Sequence, residues 1–187
     1  YPSRVLALVL RGIFLCRKAD INWLYKDGAN RVFPDYWEAF IKPIPEIERE
    51  DLVLAYYSRL TGSDELARMS AAKAWSAWEG SCSKLRPSPE ALAKFTKPHN
   101  ALALSRIEAH YFFNDGFVEQ NHILENAEAL SGIPGQIIHG RYDMVCPLES
   151  AQSLHKLWGD SQLHIVLDAV HSASEPGTID SLLHAVQ

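Results

Sequence analysis

The amino-acid sequence predicts an α/β chain in which a parallel sheet, incomplete within these residues, is interrupted by an all-helical insertion. Three observations carry the prediction. Apolar runs of strand length stand near the two ends: Val5 to Leu10 at the start, and, late in the chain, the run that begins the stretch from Gly135 to Asp143 and the run Leu163 to Leu167. These runs are short, and the first is unbroken, the pattern of strands covered on both faces. Between them, from about residue 20 to 130, no strand run stands out and helix-start signals recur.

Taken in order, residues 1–19 read as a core strand of the sheet domain, with Val5 to Leu10 followed by Arg11, Gly12, Ile13 and Phe14. Residues 20–130 read as a helical cap. Pro34 to Phe40 is its first clear helix, and Pro45 followed by Glu46 and Glu48 is a good start for a second one running to Tyr57. Ser63 and Asp64 supply a capping residue for a third helix through Trp75 and Trp78 to Gly80. Ser88-Pro89-Glu90 opens another, and Leu102 to Phe113 is a further apolar helical candidate. Residues 131–187 return to the sheet domain as strand, loop, helix (Leu148 to Trp158), strand, loop and helix (Ile179 to Val186).

Composition narrows the function. At 187 residues the chain can bury one core, or one core plus an insertion. A net charge of −5 with no basic block argues against nucleic acid and anionic membranes as partners. It is compatible with a cationic ligand. Cys16, Cys82 and Cys146 are odd in number and lack metal-like spacing, which reads as three reduced thiols in a cytoplasmic protein. No histidine pattern suggests a metal site, and no cofactor is expected. Val5 to Leu15 is interrupted by Arg11 and is too short to span a bilayer.

The chemistry concentrates at the ends of the two late strands. Asp143 and His171 each stand in the loop that follows a strand, about one strand-helix-strand unit apart. A serine hydroxyl is a poor nucleophile until an imidazole takes its proton, and a carboxylate must hold that imidazole in one tautomer. An acid followed by a histidine late in an α/β chain fits that relay and is the order in which α/β-hydrolases end. Asp168 lies too close to His171 on the same loop to serve as the acid from another strand, and His164 belongs to the strand itself. No Gly-x-Ser-x-Gly elbow occurs in the 187 residues, so the relay is expected to work with a serine upstream of Tyr1.

Two glutamates in the cap invite a second reading. Glu79 follows Trp78 near a helix C-terminus, where the helix dipole disfavours a carboxylate. It is either a solvated glutamate or one held for a cation. Glu108 stands just before Tyr111, Phe112 and Phe113, and either pairs with Arg106 or awaits a ligand cation. If both face the relay, they would bind a substrate ammonium and make the enzyme an exopeptidase. Arg11 closes the first strand and could organise the glutamates or bridge domains. Phe14 and Cys146 could line a small ring pocket or simply pack in the core.

Five separated segments, Leu10 to Phe14, Trp75 to Gly80, Ile107 to Phe112, His139 to Cys146 and Leu163 to Val166, closely resemble the proline iminopeptidase family of α/β-hydrolases, and the match runs in register along essentially the whole chain. The resemblance implies a serine exopeptidase releasing N-terminal proline from small peptides through an acyl-enzyme. It implies catalytic roles for Asp143 and His171. It implies that Glu79 and Glu108 hold the imino group of the substrate, that Arg11 supports them, and that Phe14 and Cys146 lie against the pyrrolidine ring. It also implies that the chain lacks the nucleophile and is inactive alone. Val170 stands where the family usually has glycine, and a turn needing positive φ there would displace His171. Leu24 stands where relatives place an aromatic. Two other functions stay open at this point: an α/β-hydrolase acting on small esters or acyl compounds, and a non-catalytic remnant retained for binding.

Overall fold

The computed structural model describes residues 1–84, 86 and 88–187. It divides into two compact units, one of Tyr1–Leu15, Ser83–Leu85 and Glu119–Gln187, the other of Cys16–Cys82 and Arg86–Val118.

The first unit is built on a parallel sheet of β1 (Leu8–Arg11), β2 (Gly135–Gly140) and β3 (Ser161–Val166), in that spatial order. Leu8 pairs with Gly135, and Gly135 with Ser161. β2 is central and is buried along almost its whole length, because both its faces are covered. On one face Ile137 packs with Ile13, Leu15, Ala127, Ala151, Leu154 and Trp158. On the other, Ile138 packs with Val166 and Ala169, and Leu182 and Ala185 lie against them. Successive residues of a strand point to opposite faces, so the adjacent pair Ile137 and Ile138 seeds two separate cores.

The first strand departs from the sequence expectation. It runs from Leu8 to Arg11 rather than from Val5 to Leu10, and Leu6 is 93% exposed. Among the described residues β1 pairs with β2 alone, and it is half-buried.

The second unit holds helices α1 (Lys18–Tyr25), α2 (Ala29–Val32), α3 (Pro34–Ile41), α4 (Leu52–Thr61), α5 (Glu65–Cys82), α6 (Pro89–Phe95) and α7 (Pro98–Phe113), with no strand among the described residues. The helix expected to run from Pro45 to Tyr57 is two elements: a 3-10 turn at Glu46–Glu48, then α4. Asp51 causes the break, since its carboxylate accepts from the Leu54 N–H and caps α4 there. Asp64 plays the same part for α5, accepting from the Ala67 N–H at 3.0 Å. The core is aromatic: Trp75, Trp78, Tyr56 and Phe40 are fully buried. Tyr56 stacks on Phe40 at 4.7 Å and Tyr25 on Trp75 at 4.3 Å between ring centroids. Ala71, Ala72, Ala101 and Ala109, all buried, keep α5 and α7 slim where they pack.

The helical unit takes Cys16–Cys82 and Arg86–Val118, against the expected 20–130. Residues 119–130 go with the sheet because Ala127 is part of its core and Leu124 and Leu130 pack on it. Helices α8 (His122–Glu125), α9 (Leu148–Leu157) and α10 (Pro176–Ala185) complete the sheet unit. No helix among the described residues is long and apolar enough to cross a membrane.

Candidate active site

Asp143 leaves the end of β2 in a tight turn that its own side chain closes. One carboxylate oxygen, Oδ1, accepts from the backbone N–H of Val145 at 3.0 Å and of Cys146 at 2.8 Å. This is the local chemistry that makes aspartate a turn residue. The other oxygen, Oδ2, is thereby aimed away from the turn, and it lies 2.9 Å from Nδ1 of His171. Asp143 is 3% exposed, so the bond is shielded from water. An ionised carboxylate only accepts, so His171 carries its proton on Nδ1 and leaves Nε2 as an acceptor. That is the tautomer a general base needs. The sequence-predicted pair is therefore brought together, while the competing Asp168 and the strand residue His164 are exposed.

Beneath the pair lies His139, a residue whose part the sequence alone did not reveal. Its Nδ1 accepts from the Ile13 N–H at 3.3 Å, and its Nε2 donates to the Cys146 carbonyl at 2.7 Å. Burial holds its pKa below the usual histidine value, although the charge of Asp143 opposes this. A neutral His139 thus ties the end of β1 to the Asp143 turn. A histidine inside an otherwise apolar strand run was the only available signal.

The loop carrying His171 is held residue by residue. The Val170 N–H donates to Glu175 Oε2 at 2.7 Å, and the Ser172 N–H to the Ser83 carbonyl at 3.1 Å. The Arg11 guanidinium donates to the carbonyl of His171 itself. The close approach of this loop to β2 requires glycine at position 140. A Cβ there would lie 2.0 Å from the Val170 carbonyl oxygen and 2.7 Å from that of Ala169. Both are backbone atoms that cannot swing aside. Gly140→Ala is expected to cost about 1–3 kcal/mol of stability, read as a lower urea midpoint.

Val170 does not displace His171. It is not among the residues with positive φ, and its side chain is 4% exposed. Since the backbone here suits any residue, Val170→Gly gains nothing for the loop and loses a buried side chain. It is expected to destabilise the fold by about 2 kcal/mol, again measurable by urea unfolding. Nearby, Cys146 is buried and Phe14 half-buried.

The helical unit holds the second group of predicted residues. Glu79, in the last turn of α5, is 8% exposed, not solvated. Glu108 of α7 accepts from the Trp75 indole N–H at 2.8 Å. Tyr25 donates its hydroxyl to Glu79 Oε1, and Glu79 and Glu108 are hydrogen-bonded to each other. Two carboxyl groups can share such a bond only if one is protonated. Burial, and then the charge of Glu108, push the Glu79 carboxyl well above the usual range, against the Tyr25 hydrogen bond. Burial and the charges of Glu79 and Glu108 likewise push Tyr25 well up. The pair is therefore a buried acid site with a proton in place of a cation. A ligand ammonium could replace that proton and find two carboxylates already oriented by neutral donors. Leu24, at the predicted aromatic position, is buried, and its carbonyl accepts from the Trp78 indole N–H at 3.1 Å.

No family model matches the chain. It is 48% identical over 186 residues to a protein of Xylella fastidiosa (strain 9a5c) named proline iminopeptidase, a match covering 99% of this chain and 59% of that protein. It is 50% identical over 179 residues to a proline iminopeptidase of Xanthomonas citri, covering 95% of this chain and 57% of that one. A proline iminopeptidase of Arabidopsis thaliana is 46% identical over 187 residues, with 99% of this chain and 49% of that protein covered. The chain thus spans 49–59% of the length of these relatives. The parallel sheet, interrupted in the sequence by helices, is the α/β arrangement that the sequence predicts.

Proposed function

We infer, from a chain that resembles the proline iminopeptidases along nearly its whole length, that it forms part of a serine exopeptidase releasing proline from the N-terminus of small peptides. The observation that carries this reading is the buried Asp143–His171 pair, 2.9 Å apart, with Nε2 of the ring left as acceptor. The nucleophilic serine would belong to the part of the relatives' length that these 187 residues do not span. In the first step His171 Nε2 takes the serine proton as the oxygen attacks the prolyl carbonyl, and Asp143 stabilises the imidazolium. His171 then gives the proton to the departing amine, leaving a prolyl ester on serine. Water, activated by the same imidazole, releases proline. In this reading Glu79 and Glu108 take the N-terminal amine, and Phe14 and Cys146 lie against the pyrrolidine ring.

The experiment is a comparison of hydrolysis rates, using the enzyme with its serine in place, for a peptide with free N-terminal proline and the same peptide acetylated on that proline. The expected result is release of proline from the first alone. Equal rates would favour the ester- and acyl-hydrolase reading, and no turnover of either would favour a binding remnant.

The shared proton of the glutamate pair adds a pH dependence. A cationic substrate must displace that proton, so KM for free-amine substrates should fall as pH rises through the raised carboxyl range. The trend ends where the substrate's own ammonium titrates. An ester lacking an amine should show no such trend. Stability should move the other way. The native state keeps a proton that the unfolded chain releases, so the free energy of unfolding declines between the ordinary carboxyl range and the raised one. Urea midpoints across that window check it.

A further inference from the structure

We propose that Arg11 and Glu175 are positioning residues for His171, gripping the backbone on either side of the imidazole so that its Nε2 points at the nucleophile; this rests on reading His171 as the general base. The resemblance to known relatives gives Arg11 a different part, as support for the amine-binding glutamates, and gives Glu175 none. Three successive residues of the loop are each bound by a separate element. Residue 170 is held through its N–H by Glu175, the residue before α10, at 2.7 Å. Residue 171 is held through its carbonyl by Arg11, at the end of β1. Residue 172 is held through its N–H by the Ser83 carbonyl, from the segment that follows α5, at 3.1 Å.

The imidazole is seated by the same strand end. Gly12, the neighbour of Arg11, has φ of +53°, and a Cβ placed on it would lie 3.2 Å from His171 Cε1 and 3.5 Å from Nδ1. The ring edge therefore rests against the bare backbone of Gly12. Arg11 fixes the main chain of the residue whose ring Gly12 seats. The Asp143 bond orients the ring about its own axis, but one hydrogen bond to Nδ1 leaves the ring free to swing with its backbone. Clamping the N–H of residue 170 and the carbonyl of residue 171 removes that freedom. A displacement near 1 Å at a reacting group can cost about 100-fold in rate, which sets the scale of the effect. A backbone acceptor is served by a charged donor here, which strengthens the hold.

The test uses the enzyme with its serine in place and compares Arg11→Met, Arg11→Lys and Glu175→Gln with wild type. Each is assayed on a free-amine substrate, proline p-nitroanilide, and on an amine-free ester, p-nitrophenyl acetate. The downfield proton resonance of the His171 Nδ1–H is recorded alongside. The expected result for Arg11→Met and Glu175→Gln is a kcat lowered by about 10- to 100-fold on both substrates, with KM within about twofold. Arg11→Lys should recover part of the loss, since it keeps a cationic donor, and the resonance should broaden in the Met and Gln variants. A rise in KM confined to the free-amine substrate, with the ester and the resonance unaffected, would overturn the proposal and return Arg11 to the substrate site. So would unaltered kinetics throughout. A wild type active on the ester but not on the anilide would sink the aminopeptidase reading while the ester still judges the clamp. If wild type turns over neither substrate, the resonance decides: loss in the variants supports the clamp, and persistence overturns it.

Discussion

Asp143→Asn, made in the enzyme with its serine in place, should lower kcat by about four orders of magnitude while leaving the fold intact. The geometry of Asp143 explains both halves. Its Oδ1 accepts from the N–H groups of Val145 and Cys146, and an asparagine carbonyl can keep both bonds, so the turn survives. That choice forces the amide NH2 into the place of Oδ2, facing His171 Nδ1. A donor now meets a nitrogen that must also donate. The ring answers by moving its proton to Nε2, where it can no longer accept the serine proton. Thermal unfolding and kcat measured on the same preparation separate the two effects. A variant within tenfold of wild-type kcat would mean that Asp143 does not set the tautomer.

Glu79→Gln should reduce kcat/KM for free-amine substrates by about 30- to 1,000-fold, the consequence of about 2–4 kcal/mol lost when a buried ionic partner is removed. Glutamine has nearly the same volume and can still accept from Tyr25, so packing is conserved and only the charge is gone. Glu108→Gln should act in the same direction, with the Trp75 bond retained. Because the two carboxyls share a proton, the double variant should lose less than the sum of the singles. Stability gives an independent readout. Removing a buried group that resists ionisation relieves a cost that grows with pH, so Glu79→Gln should be at least as stable as wild type in mildly alkaline solution. Unchanged kcat/KM in both single variants would remove the glutamates from substrate recognition.

The pairing of Asp143 with His171 was legible in the sequence because the two residues follow short apolar strands, and in a parallel sheet such loops collect at one edge. Glu79 was legible as an oddity, a carboxylate at the wrong end of a helix beside two tryptophans, and the structure explains it by burial and a shared proton. What local pattern could not show was set by distant contacts. The Val5–Leu10 run promised a strand covered on both faces, yet pairing begins only at Leu8, where β2 starts opposite it. Pro45 and its acidic neighbours promised one helix, and a single cap at Asp51 divided it. Glu175 and the Ser83 carbonyl hold the His171 loop without any motif, since a backbone acceptor leaves no mark on side-chain sequence. Val170 shows the opposite error: a departure from the family pattern that costs the geometry nothing, because φ at that residue is not positive.

The most direct measurement is the tautomer of each histidine, read from two-bond nitrogen–proton couplings in protein labelled with 15N-histidine. Opposite tautomers are expected for the two rings. His171 should carry its proton on Nδ1, where Asp143 accepts it, and His139 on Nε2, where the Cys146 carbonyl accepts it. His171 found with its proton on Nε2 would contradict the relay, whatever the substrate.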